Sequence, residues 1–157
     1  MKKLLFVTFL FLSFNLLSYA PTLPTVIYIP QAKSISYIEK IKVDYEPLIK
    51  AMGLVESKCN NSAINLKEDA RGYFQIRKCR IEHYNNLTDK NYTLQDMHNF
   101  ELAQEVFLYF VYHDSRGRII SPKSYETTAK NWNGSGPKTE NYWKLVQAKL
   151  QLNRANT

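Results

Sequence analysis

The sequence contains few of the residues that build disulfide-rich or metal-binding domains: two cysteines, three histidines and five glycines among 157 residues. The histidines, His83, His98 and His113, stand fifteen positions apart, a spacing that no helix or loop metal site requires. We therefore expect neither a metal nor another cofactor. The chain also lacks internal repeats and low-complexity tracts, which excludes solenoids and compositionally biased linkers and favours one compact domain.

Long apolar runs are absent except at the N-terminus, which reads MKKLLFVTFLFLSFNLLSYA. Two lysines precede the mostly apolar residues 4–17, and Ser18 and Ala20 are small residues of the kind that a signal peptidase prefers. The run is too short and too interrupted by polar residues for a good membrane span. We interpret residues 1–20 as a signal peptide and expect an exported protein of the periplasm or cell envelope, or a secreted one. Pro21 disfavours a cut after Ala20, which leaves two alternatives open: a cut elsewhere, or an uncleaved segment that anchors the chain.

Acidic residues are outnumbered, 14 against 21 basic ones, so the formal net charge is +7, and it falls to +5 without the two lysines of residues 1–20. A basic domain suits an anionic partner such as nucleic acid, anionic lipid or an acidic cell-wall polymer. No basic run exceeds a few residues, no basic amphipathic helix stands out, and export removes the chain from intracellular nucleic acid. We expect no nucleic-acid partner, and membrane contact only if the signal segment is uncleaved.

Two cysteines cannot build a framework of several disulfides, but in an exported chain Cys59 and Cys79 would most simply pair with each other. Such a bridge would close a loop of about twenty residues and stabilise the fold by roughly 3 kcal/mol on a chain-entropy argument.

Apolar residues recur every three or four positions through most of the chain after residue 44, as on one buried helix face. Between residues 60 and 75 this period disappears, and asparagine, aspartate and glycine predict turns with a small hairpin. The sequence thus predicts an α+β domain, predominantly α-helical, over residues 37–152, with a small β or loop insertion near residues 60–75. Three prolines predict an extended segment at residues 21–36, and residues 153–157 are expected to form a C-terminal tail.

Capping residues predict where the helices begin. Asp44 would cap the first long helix, because Pro47 is well tolerated only in a first turn. The residues expected to begin the later helices are Asp96 or Asn99, Ser121 with Pro122, and Thr139.

A glutamate, Glu56, ends the apolar face of the first long helix, where leucine would be ordinary. It lies four positions after Met52 and seven after Ile49, so it shares the buried face of that helix. Burial and the negative end of the helix dipole both disfavour the ionised carboxylate and raise its expected pKa, as a general acid requires. The structural alternative is a glutamate whose stem packs while its carboxylate reaches solvent or pairs with Lys58 or Arg71.

Three further motifs follow Glu56 along the chain. Glu56-Ser57 stands at a helix end, GYFQI (72–76) follows a short loop, Trp132-Asn133-Gly134 precedes Ser135 and Gly136, and Tyr142 lies in a last helix. In order and spacing, over residues 48–147, these motifs resemble those of the lysozyme-like lytic transglycosylases. That family has Glu-Ser at a helix end, a Gly-x-x-Gln-Ile type motif, an aromatic-Asn-x-Gly type motif and a tyrosine in the final helix.

The resemblance implies a lysozyme-like fold and an enzyme that cleaves peptidoglycan, with Glu56 as the catalytic acid and base. Ser57 would contact the substrate or steady Glu56, and Tyr142 would orient the Glu56 carboxyl group. Two departures, Tyr73-Phe74 for Leu-Met and Trp132 for tyrosine, keep large side chains suited either to sugar faces or to core packing. The substrate-binding residues implied by the resemblance are Ser57, Tyr73, Gln75, Trp132, Asn133 and Tyr142.

Two alternatives to a transglycosylase stay open. A hydrolytic lysozyme would need a second carboxylate, for which Asp69 and Glu68 are the candidates, although both also suit a solvated turn. A non-catalytic glycan-binding or secretion-apparatus protein could share the same fold, since a fold does not fix an activity. Peptidoglycan glycan strands are the expected partner, and cell-envelope machinery is a further one.

Overall fold

The computed structural model describes residues 31–155, with side chains from residue 39 onward except that of residue 154. This range contains five α-helices and one three-stranded antiparallel sheet, which confirms the predicted, mainly helical α+β class. The predicted signal peptide, residues 21–30 of the predicted extended segment, and residues 156–157 lie outside the described residues. The elements are α1 (Gln31–Glu56), β1 (Ile64–Asn65), β2 (Ala70–Arg71), β3 (Ile76–Arg77), α2 (Lys78–Leu87), α3 (Phe100–Tyr112), α4 (Tyr125–Asn133) and α5 (Lys138–Ala155), with a 3₁₀ turn at Gln95–His98.

Helix α1 is longer than predicted, because it begins at Gln31 and passes through Pro47. The prediction that residues 31–36 are extended, and that Asp44 caps this helix, is therefore wrong. A proline inside a helix costs about 3 kcal/mol, but the buried side chains of Ile41, Tyr45 and Leu48 continue the apolar face across it. Helix α5 likewise continues to Ala155, so residues 153–155 are helical and not a tail.

The other helix boundaries agree in part with the capping signals. Asn99 caps α3 by accepting a hydrogen bond from the backbone N–H of Leu102, as predicted. Helix α4 is capped by Ser124, which accepts from Thr127, and the prediction of Ser121 is wrong. A serine three residues upstream offers the same chemistry, so composition alone does not distinguish the two. Within residues 31–155, no helix combines the length and the apolar character needed to cross a membrane.

The core lies where α1, α3, α4 and α5 meet the loop that precedes β3. Helix α1 packs mainly on α5, and α5 packs on α4. Phe74, from the loop, is fully buried and stacks on Phe107 of α3 with ring centroids 4.7 Å apart. Trp132 of α4 meets Phe107 edge-on at 5.1 Å. The loop between β2 and β3 is thus fixed to two helices by its own aromatic side chain.

The sheet occupies the region predicted as a β or loop insertion and extends it to Arg77. Its strands pair in the order β1-β2-β3, with Asn65 opposite Ala70 and Ala70 opposite Arg77. Gly72 follows β2 with a φ of +75°, and a Cβ there would overlap the backbone carbonyl of Met97. Glycine is therefore required at the start of the GYFQI motif, because the chain turns there while touching another backbone segment.

Gly53 of α1 lies directly beneath the ring of Tyr73, which a Cβ at this position would overlap. The ring cannot easily move aside, because Phe74 and Phe100 both contact it with centroids 4.9 Å away. We predict that Gly53→Ala lowers the free energy of unfolding by about 1–3 kcal/mol, as overpacked cores do. Denaturant unfolding measures this change.

The matched control is the same substitution in a Tyr73→Ala background. There the ring is gone, and alanine's higher helix propensity, worth about 1 kcal/mol, should make Gly53→Ala neutral or stabilising. An equal loss of stability in both backgrounds would contradict the packing account.

Candidate functional site

A polar cleft of about 220 Å³ opens beside the C-terminal end of α1. The sheet and the first turn of α2 form one wall, and the end of α4 forms the other. The cleft brings together residues from three of the motifs, Glu56, Gln75 and Trp132-Asn133, although these motifs are far apart in sequence. Its lining residues are Glu56, Asn65, Glu68, Gln75, Arg77, Cys79, Arg80, Trp132, Asn133 and Gly134.

Glu56 is the last residue of α1, and its half-buried carboxyl group faces the cleft. Burial raises the pKa of Glu56 from its ordinary value of 4.5 to about 7. The hydrogen bond from Tyr142 and the positive charges of Arg77 and Arg80 act in the opposite direction, and Glu68 adds a smaller upward effect. The carboxyl group is therefore divided between its acid and base forms near neutral pH, the condition that suits a group that first donates and then accepts a proton.

Tyr142 projects from α5 into the wall behind Glu56 and is buried. Its hydroxyl donates a 2.7 Å hydrogen bond to Oε1 of Glu56. Burial and the neighbouring carboxylate raise the pKa of Tyr142, so its hydroxyl stays protonated and keeps donating. No other hydrogen bond to the Glu56 carboxyl group occurs within residues 39–153, so Oε2 is the oxygen available to a ligand.

Arg80 of α2 joins the two walls of the cleft. Its guanidinium group lies 4.0 Å from the centroid of the Trp132 ring and donates a 2.9 Å hydrogen bond to the Trp132 carbonyl oxygen. Trp132 in turn donates from Nε1 to the carbonyl oxygen of Phe74 at 3.1 Å. The indole is only 8% exposed and is covered by Arg80, so it forms a wall and not an open platform for a sugar ring.

Gln75, which directly precedes β3, and Asn133, the last residue of α4, both line the cleft. The amide nitrogen of Gln75 donates to the carbonyl oxygen of Gly72 at 2.9 Å, which holds the side chain against its own loop. Gln75 also has a φ of +49°, a left-handed conformation that costs a non-glycine residue about 1–3 kcal/mol. Asn133 ends α4, and Gly134 follows at a φ of +123°. The Gln75 amide is thus held by its own loop, and Asn133 enters the cleft at the point where α4 ends.

Ser57 and Tyr73, predicted to contact substrate, do not line the cleft. The Ser57 hydroxyl donates to the carbonyl oxygen of Tyr73 at 2.9 Å and accepts from the backbone N–H of Asn60 at 3.1 Å, so it ties the end of α1 to the GYFQI loop. Tyr73 faces a different cavity, where its hydroxyl lies 3.3 Å from the Cys59 sulfur. Because its hydroxyl is used in these two hydrogen bonds, Ser57 supports the end of α1 that carries Glu56.

Of the two candidate second carboxylates, the fold brings only Glu68 to the cleft. Its Oε2 lies 2.6 Å from a guanidinium nitrogen of Arg77, and both side chains are about half exposed. Asp69 lines a separate cavity with α2 and contacts Arg71 at 3.3 Å. The two neighbouring carboxylates therefore line different cavities, and only that of Glu68 shares the cleft with Glu56.

Both cysteines are free, and the predicted Cys59–Cys79 bridge is wrong. Cys59 follows α1 with a φ of +61°, and its sulfur lies beside Tyr73 in the cavity on the far side of that loop. Cys79 is exposed at the start of α2 and lines the Glu56 cleft. All three strands of the sheet lie in the chain between the two cysteines. Their thiols face different cavities.

Three residues of the cleft escaped the sequence analysis, namely Asn65, Arg77 and Arg80, and a fourth, Cys79, was assigned only to a disulfide. One signal was present: the stretch IRKCR places three basic residues directly after the glutamine of GYFQI. These basic residues could have been recognised as counter-charges for a glutamate at a helix end. Among the described residues, no group of three or more His, Cys, Asp or Glu side chains could hold a metal ion.

No protein-family model matches this chain, and neither a curated protein nor a solved structure matches it. The motifs and the geometry of the cleft are therefore the features of the chain that bear on its function.

The Tyr142–Glu56 hydrogen bond should have a measurable effect on the pKa of Glu56. Because the hydroxyl stabilises the ionised carboxylate, Tyr142→Phe should raise the pKa of Glu56 above 7 by roughly one unit, the size expected for a hydrogen bond to a charged group. A carboxyl-carbon NMR titration measures the value, and Glu56→Gln assigns the resonance.

The matched control is Tyr92→Phe, which removes the same kind of bond at a distance from the cleft, between Tyr92 and Glu105 (2.9 Å). It should leave the pKa of Glu56 unchanged. A Glu56 pKa that stays constant or falls in the Tyr142→Phe protein would overturn this electrostatic account.

Proposed function

We propose that this chain is a peptidoglycan-cleaving enzyme of the lytic transglycosylase type, built on a lysozyme-like arrangement of its helices and sheet. It would act on the β-1,4 bond between N-acetylmuramic acid and N-acetylglucosamine. The observation that carries the proposal is the state of Glu56, whose pKa is raised to about 7 at a cleft and whose Oε1 accepts the bond from Tyr142. A half-buried carboxyl group with one fixed oxygen and one free oxygen is what a single acid and base needs.

The reaction uses the two protonation states of Glu56 in turn. The protonated Oε2 donates its proton to the glycosidic oxygen, and the bond from that oxygen to C1 of the muramic acid breaks. The resulting carboxylate then removes the proton of the C6 hydroxyl of the same sugar, and O6 bonds to C1. The product has a 1,6-anhydro ring, Glu56 is reprotonated, and no water is consumed. The attached hydroxyl replaces a water because it already has a high effective molarity.

The groups around Glu56 favour different protonation states of its carboxyl group in the two halves of this cycle. Burial favours the acid form before cleavage, while Arg77, Arg80 and the Tyr142 hydroxyl favour the carboxylate that forms during cleavage. Gln75 and Asn133 are placed to contact the glycan, as the resemblance implies. Export to the cell envelope, expected from residues 1–20, would bring a basic domain to a polymer whose peptide stems carry carboxylates.

A hydrolytic lysozyme is the second candidate, and one observation favours it: Glu68 lines the same cleft as Glu56. In an inverting hydrolase Glu68 would activate a water on the opposite face of the sugar. Its ion pair with Arg77 holds that carboxylate at the wall, which weighs against the role. A non-catalytic glycan-binding or secretion-apparatus protein is less well supported, because binding alone does not need an acid with a raised pKa.

Digestion of purified peptidoglycan tests the proposal. We expect the wild-type protein to release fragments with anhydro ends, one water lighter than reducing ends in the mass spectrum. Glu56→Gln should lower the rate at least about 100-fold, because it removes the general acid. Glu82→Gln, on the exposed side of α2, is the matched control and should keep the wild-type rate. A fully active Glu56→Gln protein would refute the role of Glu56.

Glu68→Gln separates the two reaction types in the same assay. A transglycosylase should keep its rate within a few-fold and still form anhydro ends. A hydrolase should form reducing ends and lose activity about as severely as the Glu56 variant does.

The raised pKa also predicts the pH dependence of cleavage. Because the acid form of Glu56 starts the reaction, kcat/KM should be constant below neutrality as far as Glu56 is concerned and fall tenfold per pH unit above about 7. Initial rates between pH 5 and 9 measure this limb, with circular dichroism at each pH as the control for folding. A rate that rises steadily through pH 7 would mean that Glu56 does not act as the acid.

A further inference from the structure

A second cavity, of about 500 Å³, adjoins the Glu56 cleft and shares Cys79 and Arg80 with it. Its walls come from α2, the C-terminal end of α3, residues 113–123 and Asn131 of α4. We infer that this second cavity binds the carboxylate-bearing peptide stem of the glycan strand whose sugar bond lies beside Glu56. The inference rests on the proposed function, and it adds to it a requirement for stem peptides.

Positive charge dominates the second cavity. Arg80 and Lys123 line it, and its acid, Asp114, is neutralised within its own loop. The backbone N–H and side chain of Arg118 hold the pKa of Asp114 at about 2, and the two side chains lie 2.6 Å apart. An anionic ligand therefore meets two cations and no unpaired carboxylate among the lining residues.

The cations differ in how far a ligand can reach them. The Lys123 ammonium group donates to the carbonyl oxygens of Phe110 (2.6 Å) and His113 (3.0 Å) at the end of α3, so it acts as a fixed charge in the wall. Arg80 uses one nitrogen for the Trp132 carbonyl, which leaves other N–H groups of its five for a carboxylate. The arginine thus stands at the junction of the cleft and the second cavity with donors to spare.

The floor of the second cavity is apolar. It contains Phe110, over which the Arg80 guanidinium group lies at 5.5 Å, and Ile120. The imidazole of His83 also packs on the Phe110 ring, and its Nε2 already contacts the Ser115 carbonyl oxygen at 3.2 Å. An apolar floor beneath a cationic wall suits a short peptide with small side chains and carboxylates better than a bare sugar, which needs many hydrogen-bond partners.

The arrangement of the two cavities agrees with the chemistry of the substrate. A peptide stem is attached to the same muramic acid whose C1 is cleaved, so it must leave the cleft close to Glu56. Arg80 contacts both cavities and is therefore placed where the stem would pass.

Asn131 provides the test, because it is exposed, lines the second cavity and does not line the cleft. The experiment compares kcat/KM on intact glycan strands with that on strands stripped of their stems by an amidase. Wild-type protein should prefer intact strands by at least about tenfold, which corresponds to about 1.4 kcal/mol. Asn131→Glu adds a negative charge to the cavity and should abolish this preference while leaving cleavage of stripped strands unchanged. Asn131→Gln, of the same size and uncharged, should retain it.

Binding measured by calorimetry with the inactive Glu56→Gln protein separates this inference from the proposed function. Stem-dependent binding without any cleavage by the wild type would overturn the proposed function and support the cavity's role. Cleavage with equal rates on intact and stripped strands, or an equal loss on both in Asn131→Glu, would overturn the inference alone.

Discussion

The hydrogen bond between Tyr142 and Glu56 is the contact on which the site depends. It joins residues 86 positions apart and connects the end of α1 to α5, the two helices that pack most extensively on each other. A carboxyl group at a buried helix end is unfavourable when ionised, and one donor offsets only part of that cost. The part of this cost that is not offset keeps the pKa of Glu56 raised, at about 7. The fold thus keeps a locally unfavourable group because distant packing holds it in place.

The GYFQI loop is the second support of the site, and it is held by two side-chain hydrogen bonds to its backbone and by one ring contact. Ser57 donates to the carbonyl of Tyr73, Trp132 donates to the carbonyl of Phe74, and the Phe74 ring stacks on Phe107 in the core. Polar contacts of this kind fix carbonyl directions more strictly than apolar packing does. They explain why Gln75 can hold a strained backbone at the cleft, since neighbouring contacts determine its position.

Sequence reasoning located Glu56 at a helix end, the β insertion, the Asn99 cap and the partnership of Tyr142 with the glutamate, because each follows from local spacing or from a motif. It failed where a result depends on which way a loop residue faces. Tyr73, Cys59 and Asp69 all face cavities other than the cleft, although residues one to three positions away in sequence line it. It also failed at Pro47, where burial along α1 outweighs a local preference. Direction and burial are properties of tertiary packing, and neither can be read from residue type alone.

Arg80 relates the two cavities electrostatically as well as spatially. Its charge lowers the pKa of Glu56, although less than the Tyr142 hydrogen bond and the Arg77 charge do, so it opposes part of the effect of the burial that keeps the acid protonated. A carboxylate bound to Arg80 from the second cavity would partly neutralise that charge, and Glu56 would then hold its proton more firmly. The sign of this coupling is favourable for catalysis, since the acid form would be reinforced when a complete substrate is present. Because Arg80 also holds Trp132, the side chain that would bind the substrate carboxylate is the one that holds the α4 wall of the cleft in place.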